Sequence, residues 1–280
     1  MKIKIMADST CDLTPEYIEA HHVTILPLQI NLKGRDYIDG VDITPDDIFR
    51  AVADGAELPK TSAVNVEDYK KAFGEALQNY DAIIHFAISA DFSSCHANAR
   101  LAAEGLPVYC VDSRNLSSGI ALLVCEAVDM IEGGCDDPQA VVAHVNTLVD
   151  KVDSSFVIDR LDYLHKGGRC SMVAMLGANM LKLKPCIEVV DGRMIVGRKY
   201  RGQYARCMKQ YLEDRMRDVS SICEKRIFIT HTDADPGVVA SLKAEVEALN
   251  HFREIIEVRA GSTISSHCGN NTLGLLYIRK

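Results

Sequence analysis

Lys2-Ile3-Lys4-Ile5-Met6-Ala7 runs into Asp8-Ser9-Thr10. Ala82–Ile88 runs into Ser89-Ala90-Asp91-Phe92-Ser93-Ser94, and Val108–Val111 into Asp112-Ser113. Each apolar run reads as a strand, and a helix-like stretch follows each loop. Strands alternating with helices imply βαβ units and a parallel sheet. In such a sheet, ligands bind in the crevice beyond the carboxyl ends of the strands. A crevice lined by Ser and Thr with few cations suits a small polar headgroup better than a polyphosphate.

Outward from these strands, Thr14-Pro15-Glu16 and Thr44-Pro45-Asp46-Asp47 read as capped helix starts, with Pro at the first position. Val23–Asn31 is an extended segment around Pro27, and Asp36–Gly40 is rich in turn residues. Pro59–Ser62 precedes a helical pattern over Val66–Gln78. Ser117–Glu132 is a long apolar helix stopped by Gly133-Gly134, and Val141–Val149 is one more helix. After about residue 150 the pattern changes. Cys186–Val190 and Met194–Arg198 are joined by Asp191-Gly192, a strong hairpin signal. A helix over Arg201–Arg217, a strand over Arg226–His231, a helix over Gly237–Leu249 and strands near Ile255–Arg259 and Leu273–Ile278 follow. The expected fold is α/β in two domains, 1–152 with a parallel Rossmann-like sheet and 153–280 with a mixed sheet.

The 280 residues carry a net charge of −8, which argues against non-specific nucleic-acid binding. No apolar run is long enough to span a bilayer, and the start of the chain lacks the apolar region of a signal peptide. The ten cysteines are scattered without a Cys-x-x-Cys pair, so zinc or redox spacing is absent. They read as reduced thiols in a cytoplasmic protein.

Several residues could carry chemistry. His267, in Ser265-Ser266-His267-Cys268-Gly269-Asn270-Asn271, could donate to an anion or act as a base, or be a loop histidine satisfied by backbone. Ser93 and Ser94 could donate to a ligand oxygen or cap the next helix, and Thr61 and Ser62 pose the same choice. Asp8 is a cap or a buried acceptor holding neighbouring loops. Lys166-Gly167-Gly168-Arg169 lacks the spacing of a nucleotide loop, which leaves a basic surface turn. Lys182, Lys184, Arg193, Arg198, Lys199, Arg201 and Arg206 form either a docking patch or a solvated face. A Ser93–His267 hydrolase is the enzymatic alternative, although no Gly-x-Ser-x-Gly elbow is present. Binding of another small carboxylic acid is a third reading.

The combined pattern resembles the DegV family of fatty-acid-binding proteins, which includes the lipid-carrying subunit of bacterial fatty acid kinase. The resemblance rests on Ala7-Asp8-Ser9-Thr10-x-Asp12-Leu13, Pro27-Leu28, Tyr37-x-Asp39-Gly40, Pro59–Ser62, Ile88-Ser89 with Phe92-Ser93, and Val111–Ser113. It continues through Tyr163-Leu164-x-Lys166-Gly167-Gly168-Arg169-x-Ser171, Leu183-Lys184-Pro185 with Asp191-Gly192, and His267-x-Gly269. It implies a long-chain fatty acid in a tunnel between two α/β domains. The carboxylate would be held by Thr61, Ser62, Ser93 and His267, with Ser94 beside them. It further implies no enzymatic activity and no cofactor of the protein's own. An ATP-dependent kinase partner, docked through Arg169 and Arg201, would phosphorylate the carboxylate to acyl-phosphate for phospholipid synthesis. A sixteen-carbon tail has about fourteen methylenes worth up to ~0.8 kcal/mol each, on the order of 11 kcal/mol gross.

Three loops depart from the family pattern. Phe92-Ser93-Ser94-Cys95-His96 stands for Leu-Ser-Gly-Thr-Tyr. Thr61-Ser62-Ala63-Val64-Asn65 stands for Thr-Ser-Gln-Pro-Ser, and His267-Cys268-Gly269-Asn270-Asn271 for His-Thr-Gly-Pro-Gly. All three fall around the expected headgroup, so they bear on lipid identity and kinase coupling rather than on the fold.

Overall fold

A computed structural model of the chain describes residues 1–170 and 183–280. The three apolar runs are strands β1 (Ile3–Asp8), β6 (Ala82–Ala87) and β7 (Val108–Asp112). With β2 (Thr24–Leu26) they form an all-parallel sheet in the order β2-β1-β6-β7. Every side chain of β6 is buried, as a central parallel strand covered on both faces requires. α1 (Pro15–Ala20) and α2 (Pro45–Ala53) start as the sequence predicts. Thr14 Oγ1 accepts from Tyr17 N, and Thr44 with Asp47 forms a capping box.

The segment Asp36–Gly40 differs from its expected turn. Most of it is strand: β4 (Arg35–Ile38) pairs with β3 (Gln29–Leu32), and β3 also pairs with β5 (Lys60–Ser62). Turns flank β4 on both sides, at Lys33-Gly34 and from Gly40, all three with positive φ. This small antiparallel sheet buries Ile30 and Leu32 against Ile43 and Ile48. Thr61 and Ser62 are therefore strand residues and not caps. Asn65 caps α3 (Val66–Ala76) through Asp68 N.

Strands β8 (Val152–Val157), β9 (Leu183–Val190), β10 (Arg193–Arg201), β11 (Ile222–Thr232), β12 (Glu254–Arg259) and β13 (Thr272–Arg279) form a mixed sheet in the order β10-β9-β8-β13-β11-β12. Only β11 and β12 run parallel, and the hairpin at Asp191-Gly192 joins β9 to β10. Its outer face packs under α8 (Tyr204–Arg215) and α9 (Pro236–Ala248). Asp235 caps α9, accepting from Val238 N at 3.0 Å.

Between the two large sheets lies α5 (Ser118–Glu132), ten of whose residues are buried. It packs on β1 and β6 from one side and on β8, β11 and β13 from the other. A helix enclosed by two sheets must be apolar nearly all round, and this one is. The core is accordingly continuous from Ile5 and Ile84 through Leu123 to Phe156 and Leu276. At the polar end of α5, Arg226 of β11 is 7% exposed and bidentate to both Asp129 and Glu254, at 2.6–3.2 Å. α6 (Pro138–Val149) lies beside α5, against β6 and β7 of the parallel sheet. α4 (Cys95–Ala102) follows β6, and α7 (Leu161–Gly167) follows β8.

Candidate functional site

His267 is placed by a helix that the sequence disguises. α10 (Ser262–Cys268) reads Ser-Thr-Ile-Ser-Ser-His-Cys, mostly residues of middling helix propensity. Tertiary contacts supply what propensity does not. Gly261 N donates to Asp12 Oδ1 at 2.7 Å and Ser262 N donates to Asp39 Oδ1 at 3.0 Å. Both aspartates come from loops of the first half of the chain, and both are buried. Asp39 is steadied by Ser9 Oγ at 2.8 Å and Asp12 by Ser117 Oγ. Burial pushes the Asp12 carboxyl up to about 7, against the lowering pull of those hydrogen bonds.

The far end of α10 presents His267 to Thr61. His267 Nε2 and Thr61 Oγ1 lie 2.8 Å apart, while Nδ1 is buried without a partner. Two glycines make this possible. A Cβ on Gly167 would sit 2.5 Å from His267 Nδ1. Gly269, at φ +72°, has the Tyr163 ring 2.7 Å from where its Cβ would be. The Lys166–Arg169 segment is thus the exposed turn that ends α7, with Gly167 seated on the histidine. Burial, and secondarily the Arg169 guanidinium, lower the His267 ring to about 4. It is therefore a neutral donor or acceptor at pH 7.

Around this pair opens a narrow cleft of about 40 Å³. Thr61, Ser62, Ser93, Arg169, Thr263 and His267 supply its polar groups, and Leu28, Ile88, Phe92, Leu116, Met194 and Ile264 are among its apolar walls. It lies beyond the carboxyl ends of β1, β6 and β7, where the opening strands place it. Ser93 Oγ accepts from Cys95 N at 3.3 Å and lies 3.2 Å from Cys95 Sγ, so it is tied to the first residue of α4 while lining the cleft; the N-cap position itself is Ser94, without a side-chain cap bond. Ser94 is exposed and is not among the lining residues. Its φ of −77° is open to any residue, so a side chain there introduces no strain. Arg169 reaches Gly167 O at 2.7 Å and Phe92 O at 3.4 Å. Arg201 is exposed at the end of β10, away from the cleft lining.

Thr263 went unread in the sequence. It is 4% exposed, its hydroxyl has no partner, and it lies one helical turn before His267 on α10. The i,i+4 spacing was the available signal, but it needs the helix to be known first. Asp8 is the buried acceptor: it takes Tyr69 OH at 2.6 Å and Ile88 N at 3.0 Å, fixing the loop that leads to Ser93.

A second chamber of about 20 Å³ continues inward between the mixed sheet, the start of α5 and α10. Leu116, Ile264 and Cys268 belong to the walls of both spaces. The threonine hydroxyls here are turned to the protein: Thr230 Oγ1 to Ser118, Thr232 Oγ1 to Gly269 O, Thr272 Oγ1 to Cys268 O. What the threonines leave to the chamber is largely methyl surface. The whole path is therefore polar at its mouth and apolar within.

Of the basic residues, Lys184 pairs with Asp159, Arg193 with Asp91 and Arg198 with Asp214. Lys199, Arg201 and Arg206 are exposed, with no acid paired to them among the described residues. Lys182 and Ser171 lie outside the described residues. Among those described, no cluster of His, Cys, Asp or Glu is placed to hold a metal, and no helix is long and apolar enough to cross a membrane.

The family model described as "uncharacterised protein, DegV family" matches residues 2–280. The chain belongs to the DegV family. A DegV domain-containing protein of Deinococcus radiodurans is 30% identical over 98% of both chains. The DegV family protein of Thermus thermophilus, whose structure is described as showing fatty acid binding, superposes with a TM-score of 0.92 at 30% identity over all of both chains. The stearic acid-binding protein of Eubacterium ventriosum superposes with a TM-score of 0.84 at 27% identity, covering 99% of this chain and 98% of that one.

Proposed function

We propose that this DegV protein binds a long-chain fatty acid along the path between its sheets, with the carboxylate at Thr61, Ser62, Ser93 and His267. The observation that carries this reading is the Thr61–His267 pair at the mouth of a methyl-lined chamber. With the histidine proton on Nε2, the ring donates to Thr61 Oγ1. The threonine hydrogen is then free to point at a ligand oxygen. A carboxylate there meets neutral donors, with Arg169 at the rim, and its desolvation is offset by hydrogen bonds. Relatives named or described as fatty-acid-binding support the same ligand class.

The hydrolase alternative is disfavoured by the geometry. Ser93 is hydrogen-bonded to Cys95, and His267 to Thr61. Among the described residues no carboxylate orients Nδ1, and a ring with its pKa near 4 is a weak base at pH 7. The protein is then a carrier. Its bound carboxyl, exposed at the mouth, would be offered to an ATP-dependent kinase partner, and the cations Lys199, Arg201 and Arg206, without an acid partner among the described residues, offer that partner an acid-seeking surface.

One observation favours a second reading, a shorter acid. Spaces of about 40 and 20 Å³ hold a long tail only if Leu116, Ile264 or Met194 moves aside. Mass spectrometry of the purified protein, native and after solvent extraction, separates the two. A stoichiometric long-chain fatty acid supports the first. An empty protein that rejects a fatty-acid panel but binds short acids replaces it with the second.

A further inference from the structure

The inner chamber holds one hydroxyl that the protein does not use. Ser154 of β8 is 1% exposed, lines the chamber, and has no hydrogen-bond partner among the described residues. Strand alternation puts it on the inner face with Phe156, in register beside Leu276. Across from it, α5 presents Gly119. A Cβ there would come 2.7 Å from Ser154 Oγ, so only glycine lets the hydroxyl sit this close to the helix. Every threonine on the same wall is satisfied by backbone or by Ser118. A simple alkyl tail would leave Ser154 stranded, since buried hydroxyls without partners are unfavourable. A trapped water is a poor substitute, because a stable buried water needs two to four polar partners.

We propose that Ser154 reads an oxygen on the acyl tail, so that the preferred ligand is an oxygenated fatty acid, hydroxylated or oxo-substituted away from its carboxyl end. This rests on the fatty-acid reading of the outer cleft and adds the ligand's chemical class. The carboxylate occupies the mouth, the chain passes Leu116 and Ile264, and the tail oxygen accepts the hydrogen of Ser154 Oγ. No bond is made or broken.

The test is competitive binding of octadecanoic acid against its 3-, 10- and 12-hydroxy derivatives, with wild type, Ser154→Ala and Ser154→Cys. Thermal unfolding reports whether each variant is folded. One mid-chain hydroxy acid should bind wild type about tenfold more tightly than octadecanoic acid, as one added hydrogen bond allows. Ser154→Ala should erase or invert that preference. Equal binding of plain and hydroxylated acids by wild type overturns the proposal while leaving fatty-acid binding intact. So does a preference that survives in a folded Ser154 variant. If wild type binds none of the four acids, the fatty-acid reading itself falls, and this inference with it.

Discussion

Thr61 Oγ1 and His267 Nε2 lie 2.8 Å apart across 206 residues of chain. One sits on a three-residue strand of the small sheet and the other at the end of a seven-residue helix. If they form one donor chain toward a carboxylate, Thr61→Val and His267→Ala should each weaken fatty-acid binding by roughly tenfold, one hydrogen bond's worth. The double variant should lose less than the product. Isothermal titration of the four proteins gives the coupling, and strictly additive losses would mean that the two act apart.

Gly167 tests whether the histidine must sit where it does. Gly167→Ala brings a methyl against Nδ1 and should tilt the ring off Thr61. Ligand affinity should fall at least fivefold, while Tm shifts by only a few degrees for a surface-proximal glycine of this kind. Loss of fold with unchanged affinity per folded molecule would assign the glycine to packing alone.

The two shifted groups of the site pull stability in opposite directions. Folding favours protonated Asp12, so the folded state takes up a proton between about pH 4 and about 7, and this contribution to stability falls as pH rises through that window. Folding disfavours protonated His267, so its contribution falls as pH drops from 6.5 to about 4. Urea unfolding from pH 4 to 8 should show Asp12→Asn removing the decline toward neutrality and His267→Gln removing the acid-side loss. A variant with the wild-type pH slope removes its residue from this account.

Arg226 should be the costliest single truncation outside the apolar core. Arg226→Ala leaves Asp129 to Lys225 and Glu254 to solvent, and removes a buried guanidinium stem from under them. A loss of about 1–3 kcal/mol is expected for removing a part-buried, bidentate charged donor. Arg226→Met with Asp129→Leu should recover much of it. Equilibrium denaturation measures both.

The two arginines once grouped as docking residues should separate. Arg169 lines the cleft and faces His267, so Arg169→Glu should release the ligand. Arg201 stands exposed and apart from the cleft lining, so Arg201→Glu should leave ligand content unchanged while weakening phosphorylation by a kinase partner. Mass spectrometry of the purified variants, followed by phosphoryl-transfer assays with a DegV-cognate kinase, distinguishes the effects.

Much of this was legible from periodicity and caps. The parallel strands, the apolar helix α5 and the Asp191-Gly192 hairpin announce themselves locally. What was not legible is whatever depends on distant partners. α10 is written in serines and threonines and becomes a helix because Asp12 and Asp39 hold its start. β4 hides in a turn-like sequence because its partner β3 supplies the pairing. Thr61, Ser93 and His267 could be nominated by type and family resemblance, but not joined. Thr263 and Ser154 could not even be nominated, since an unused hydroxyl is visible only once every neighbour's bonds are assigned.

The helix gripped between the two sheets has a kinetic corollary. With α5 shared by both halves and riveted by Arg226, the halves cannot open like jaws around a cargo. On the fatty-acid reading, an acyl chain would thread in tail first past side chains that yield one after another, and would leave by the same route. Residence should then be long compared with a chance encounter with a partner, so cargo would change hands at the mouth by chemistry on the exposed end rather than by dissociation and recapture.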